Sequence, residues 1–167
     1  MKEFKQSKND KNKLIISLGD PAGIGTEITL KALGSKGLNK NIKPLLVGCK
    51  NNIYNTYLKL IKNGITNIPD PKNLDIIDLP LEKKVIPGKV DKYSGSASFK
   101  WVVNATNILL EGKANALVTA PISKIAWHKA GHEFAGQTEL LGKLTNKKTS
   151  MLFTAISPTN GWRFNTL

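Results

Sequence analysis

The stretch from Lys13 to Leu33 constrains the fold of this chain more than any other. Lys13–Leu18 (KLIISL) is a short β-rich run, and the glycine-rich turn Gly19-Asp20-Pro21-Ala22-Gly23-Ile24-Gly25 follows it directly. Thr26–Leu33 then sets Ile28, Leu30 and Leu33 at helical spacing. A buried strand that passes through a tight loop into a helix is the opening of a parallel α/β unit, because parallel neighbours must be joined by a crossover.

The alternation continues. Ile42–Val47 reads as a second strand closed by Gly48, and Ile53, Tyr57, Leu60 and Ile61 mark a helix stopped by Gly64. Leu74–Leu79 reads as a third strand. Pro80 to Val90, with Pro87 and Gly88 inside it, reads as an exposed connection. Ser96–Glu111 carries Trp101, Val102, Ala105, Ile108 and Leu109 on one face, which predicts an amphipathic helix ending at Gly112. Ala116–Thr119 is a strand leading into Pro121, with short helices over Ile125–Lys129 and Thr138–Leu144. Met151–Ala155 is a further strand, and Arg163 to Leu167 reads as the start of another. The expected architecture is α/β with a largely parallel sheet.

Residues 1–12 are polar and Lys-rich, without the apolar core of a secretory signal, and are expected to form a disordered basic tail ahead of one α/β body at 13–167. The chain ends at Asn165-Thr166-Leu167 with no polar tail after a strand-like run, which creates the expectation of a truncated chain. No apolar run approaches the length that spans a bilayer, so no membrane role is expected. The single cysteine, Cys49, excludes an internal disulfide and fits a cytoplasmic setting. The net charge of +13 raises the question of nucleic acid. Its lysines are dispersed from Lys2 to Lys148 among Asn and Ile, with no interleaved aromatic motif, and no nucleic-acid role is expected.

Three motifs could carry chemistry. In the first, Gly23 and Gly25 allow close backbone approach to a ligand at a helix N-terminus, and Asp20 either lines a cleft or caps backbone amides in a tight turn. The glycine spacing matches neither G-x-G-x-x-G nor the P-loop. In the second, Val118-Thr119-Ala120-Pro121-Ile122-Ser123-Lys124, Lys124 either points into a cleft toward a phosphate or is an exposed helix lysine. In the third, Ala130-Gly131-His132-Glu133-Phe134-Ala135-Gly136-Gln137-Thr138-Glu139, Gly136 permits a sharp turn and Gln137 and Thr138 offer hydrogen-bonding groups at a helix start. Thr138 is also a natural N-cap. His128 and His132 have a spacing that can bind metal on a helix, but Gly131 interrupts it and no third ligand is near.

In this order and spacing, the three motifs resemble those of the 4-hydroxythreonine-4-phosphate dehydrogenase family, with Gly95-Ser96-Ala97 before the long helix fitting as well. The resemblance runs from about Lys13 to Leu167 and implies the N-terminal half of an isocitrate/isopropylmalate dehydrogenase-like α/β/α fold. It implies NAD-dependent oxidation of 4-phosphooxy-L-threonine at C3, then decarboxylation to 3-amino-2-oxopropyl phosphate, in pyridoxal phosphate synthesis. It also implies a homodimer and a divalent metal held by histidines. The family's Gly-His-Thr-Glu segment, which contacts substrate, corresponds to Gly136-Gln137-Thr138-Glu139, so Thr138 carries over and Gln137 replaces a histidine. Asp20, Gly23 and Lys124 are candidate cleft-lining residues. The metal ligands are expected beyond Leu167, none in this chain, which is therefore expected to be inactive alone. Two other readings remain: a non-catalytic binding remnant, and a dehydrogenase of another phosphorylated hydroxy acid.

Overall fold

The computed structural model describes residues 12–166, so residues 1–11 of the expected tail and Leu167 lie outside the described residues. The described chain forms two compact units that divide between Glu133 and Phe134.

The first unit is built on four parallel strands, β1 (Lys13–Ser17), β2 (Lys43–Gly48), β3 (Asp75–Asp78) and β4 (Ala116–Thr119), in the order β3-β2-β1-β4. Helix α1 (Gly25–Leu33) joins β1 to β2 and α2 (Lys50–Lys62) joins β2 to β3. These two crossovers step across the sheet in one direction. The connection through α3 (Lys92–Leu110) steps back past β1 to β4. Because β-α-β crossovers are right-handed, reversing the direction places α3 on the opposite sheet face from α1 and α2. The pairing Ile16 with Val118 and Leu14 with Ala116 sets Leu14, Ile16 and Val118 on one face and Ile15 and Leu117 on the other.

The apolar periodicity is buried where a two-sided sheet requires it. Ile15, Leu46, Val47, Ile53, Trp101 and Ala105 belong to one buried cluster. Trp101 is accommodated because its Nε1–H donates to the carbonyl of Leu79 at 3.2 Å. Helix α3 starts four residues before the expected Ser96. The Asp91 carboxylate accepts the amides of Tyr93 and Ser94, both at 2.9 Å, and so caps a turn that apolar spacing does not reveal. Gly95 sits inside α3 because a Cβ there would come within 1.9 Å of the Ala126 carbonyl oxygen in α4 (Lys124–Lys129). Trp127 of α4 is fully buried and donates to Ser98 Oγ of α3 at 2.9 Å.

The second unit contains α5 (Gln137–Thr145) and strands β5 (Phe153–Ile156) and β6 (Arg163–Thr166). The strands pair antiparallel, Phe153 with Thr166 through Ile156 with Arg163. The turn between them is too short for the crossover that parallel pairing needs.

Candidate functional site

Strand order reverses between β1 and β4, so their carboxyl ends are the switch point at which an open α/β sheet leaves a crevice. A crevice of about 270 Å3 lies there. The loop after β1 supplies Asp20, Ala22, Gly23 and Ile24, the loop after β4 supplies Pro121 to Ser123, and Gly88 to Val90 close the third side.

Backbone contacts between distant segments build the crevice. The Asp20 amide donates to the Pro121 carbonyl at 2.9 Å and the Gly88 amide to the Ala22 carbonyl at 2.7 Å. Gly19 has a φ of 70°, and a Cβ there would come within 2.2 Å of the Pro121 oxygen. At Gly25 a Cβ would come within 2.1 Å of the Leu18 carbonyl oxygen, so this glycine is required by internal packing rather than by approach to a ligand. Gly23 is exposed and lines the crevice; a Cβ there would be 3.3 Å from the Asp20 carbonyl oxygen, a contact its neighbours could absorb.

Asp20 is buried, and its Oδ1 accepts the Ala22 amide at 2.8 Å. Burial pushes its carboxyl above the ordinary carboxylate range. The Ala22 amide and the Ser94 hydroxyl favour the ionised form and limit that rise, while the negative charge of Asp91 adds to it. The residue therefore both caps an amide and lines the crevice. α1 begins with Ile24 at its N-cap and no side-chain acceptor, so no side chain satisfies the amides of its first turn. Such a terminus favours an anion, and Lys89 stands on the crevice wall. By contrast, the α4 terminus is capped by Ser123, whose side chain accepts the Ala126 amide at 3.2 Å.

Asp20 and Gly23 thus share one crevice. Lys124 is exposed at the first position of α4, next to the lining residue Ser123. Gln137 and Thr138 belong to the second unit, as the first two residues of α5, and both are half-buried. The α5 N-cap is Gly136, with no side-chain cap, so Thr138 is not the cap. Gly136 itself is extended, with a φ of 174°, and not in the left-handed region expected of a sharp turn. Lys89 and Gly88 were not legible as site residues, because a lysine in a Pro/Gly-rich connection looks like any surface lysine.

His132 stacks on Phe99 with centroids 3.6 Å apart and planes 6° from parallel. Burial, with the charge of Lys100, holds its imidazole below the ordinary histidine range. It is therefore packed rather than simply solvated. Among the described residues no three His, Cys, Asp or Glu side chains gather in a way that could hold a metal ion. No described helix is long and apolar enough to cross a membrane.

The family model described as pyridoxal phosphate biosynthetic protein PdxA matches residues 40–158. The chain belongs to this family. It is 49% identical over 156 residues to the 4-hydroxythreonine-4-phosphate dehydrogenase of Synechococcus sp. (strain RCC307), covering 93% of this chain and 47% of that protein. It is 36% identical over 146 residues to the D-threonate 4-phosphate dehydrogenase of Pectobacterium atrosepticum, covering 81% of this chain and 44% of that protein. The crystal structure of the 4-hydroxythreonine-4-phosphate dehydrogenase of Klebsiella pneumoniae superposes with a TM-score of 0.68 at 33% identity, over 81% of this chain and 45% of that one. The α/β fold is therefore that of the PdxA dehydrogenases. The chain spans about half the length of the curated relatives it matches, and that half is the N-terminal one.

Proposed function

We propose that this chain contributes the N-terminal half of a 4-hydroxythreonine-4-phosphate dehydrogenase. The observation that carries the reading is the 49% identity, over 93% of the chain, to a relative of that name. In the proposed reaction a hydride leaves C3 of 4-phosphooxy-L-threonine for NAD+ and the hydroxyl proton is released. The resulting 2-amino-3-oxo-4-phosphooxybutanoate loses carbon dioxide to give 3-amino-2-oxopropyl phosphate.

This chain's share of that work is binding and orientation. The uncapped first turn of α1 and Lys89 suit a phosphate group entering the crevice. Asp20 holds the loop that shapes its wall. Thr138 donates a hydrogen bond to substrate, and Gln137, an amide where the family has a histidine, can hydrogen-bond but cannot carry charge or shuttle a proton. The described residues do not fit a metal centre, and no step is assigned to a metal held by this chain. The divalent metal of the reading belongs to histidines beyond Leu167 in the family pattern. The same reading carries a homodimer in the cytoplasm, with no nucleic-acid or membrane partner.

A second reading is oxidation of D-threonate 4-phosphate, favoured by the relative of that name. The test measures NADH absorbance with each substrate. The purified chain alone is expected to give no rate above a no-protein control. The chain fused to the second half of the Synechococcus relative should oxidise 4-phosphooxy-L-threonine. A higher kcat/KM for D-threonate 4-phosphate would replace the first reading by the second, and a folded but inactive fusion would leave the non-catalytic remnant.

A further inference from the structure

Among the described residues, Asp20 is the one carboxylate on the crevice wall, which it shares with Lys89 and the start of α1. It is 6% exposed, and no described lysine or arginine pairs with it. The charged groups of the surrounding elements leave it so. Asp91, ahead of α3, carries the same sign, and Glu27 in the first turn of α1 is paired with Lys31 at 2.6 Å. Lys129 of α4 donates to the Val90 carbonyl at 3.2 Å, and Lys124 is exposed to solvent. Lys89 is exposed as well, on the opposite side of the space an anion would fill. An anion in this crevice therefore meets a buried negative charge with no direct counter-ion, where a low local dielectric strengthens repulsion.

We infer that an anion enters the crevice together with a proton from solvent, which the Asp20 carboxyl takes up. The inference rests on the reading of this crevice as an anion site given above. The local hydrogen bonds let Asp20 titrate without dismantling the wall. Its Oδ1 accepts the Ala22 amide at 2.8 Å whether or not the carboxyl holds a proton. The Ser94 hydroxyl donates to the carboxylate; toward the acid it accepts instead, and its own proton goes to the Asp91 carbonyl at 3.1 Å. Ser94 is held in place because the Asp91 carboxylate accepts the amides of Tyr93 and Ser94, both at 2.9 Å. Burial already favours the neutral acid, and a bound negative charge pushes the same way. Proton and anion therefore strengthen each other's binding by the same factor.

The probe is sulfate, whose charge is constant across the carboxylate range. Its binding to the chain is followed by titration calorimetry at fixed ionic strength, in two buffers of different ionisation enthalpy, so that protons taken up per sulfate are counted directly. Affinity should be level below the folded value of Asp20, then fall by up to about tenfold per pH unit above it, with uptake approaching one proton. Asp20→Asn should bind sulfate with no such slope and no uptake. Ser94→Ala removes a donor to the carboxylate and should move the falling limb to higher pH. Lys89→Ala should weaken binding at every pH and leave the slope in place. Sulfate that binds and is weakened by Lys89→Ala, yet brings no proton, overturns the inference and leaves the crevice as an anion site. A slope that survives in Asp20→Asn, or a limb unmoved in Ser94→Ala, overturns it likewise. No sulfate binding by the parent or by Asp20→Asn, or binding indifferent to Lys89→Ala, defeats the anion site itself and the inference with it.

Discussion

Replacing Gly25 by alanine would set a methyl group 2.1 Å from the Leu18 carbonyl oxygen and 3.0 Å from Ala120 Cβ. Neither contact can be relieved by rotating a flexible side chain: one neighbour is backbone at the end of the β1 segment, the other a residue of the loop after β4. Overpacking of this kind costs about 1–3 kcal/mol, and a backbone obstacle places the cost near the upper end. Gly25 is the first residue of α1, so alanine recovers up to about 1 kcal/mol of helix propensity. The net loss should be about 2 kcal/mol, a fall in Tm of roughly 4–8 °C for a chain of this size. Gly23→Ala, two residues away in the same loop, meets the Asp20 carbonyl oxygen at 3.3 Å and Asp20 Cβ at an ordinary 3.6 Å, and should stay within about 0.5 kcal/mol of the parent. Urea unfolding followed by far-UV circular dichroism measures both. If Gly25→Ala is as stable as the parent, or if the two variants lose equally, the loop is not clamped between β1 and β4 as described.

Ser17 Oγ is fully buried and has no hydrogen-bond partner among the described residues, so Ser17→Ala should be neutral or stabilise by up to about 1 kcal/mol; a loss above that in urea unfolding would reveal a partner. Asp20, with its carboxyl raised, keeps its proton to higher pH when folded than when unfolded, so its contribution is greatest at low pH and declines as pH rises through the folded value. Relative to Asp20→Asn, the parent should therefore lose stability as pH is raised from below the ordinary carboxylate range through the raised folded value, and an opposite slope would refute burial as the dominant influence. In the fused enzyme, Thr138→Ala should remove a hydrogen bond to a charged ligand worth about 1.5–3 kcal/mol, a roughly tenfold to hundredfold loss in kcat/KM. Tm should not change, because Gly136 and not Thr138 occupies the α5 N-cap; a lower Tm with unchanged kcat/KM would reverse the assignment. Gln137→His should retain activity and add a pH dependence near the histidine range.

Several elements were legible before any coordinates. The strand over 116–119 matches β4 residue for residue, and the ends of α2 and α4 fall at the expected glycine stops, Gly64 and Gly131, both with positive φ. These follow from local rules: side-chain period separates strand from helix, and glycine accepts the left-handed conformation that ends a helix. The start of α3 was less legible, although Asp91 was in view, because a cap acts through a carboxylate and two amides rather than through apolar spacing.

Composition and period therefore determined the class of fold and the identity of its elements, and three short motifs in order determined the family resemblance. Only the tertiary structure decided what each loop residue does. Gly19, Gly23 and Gly25 look equivalent in a glycine-rich turn, yet Gly19 abuts the backbone of the loop after β4, Gly25 abuts the Leu18 backbone and Ala120 Cβ, and Gly23 lines a crevice. Asp20 meets Pro121, and Lys89 comes to the same crevice, because the sheet order β3-β2-β1-β4 brings segments distant in sequence to one edge. Local periodicity carries no record of strand order. That order follows from crossover handedness and from burying both faces of the sheet, which are properties of the assembled chain.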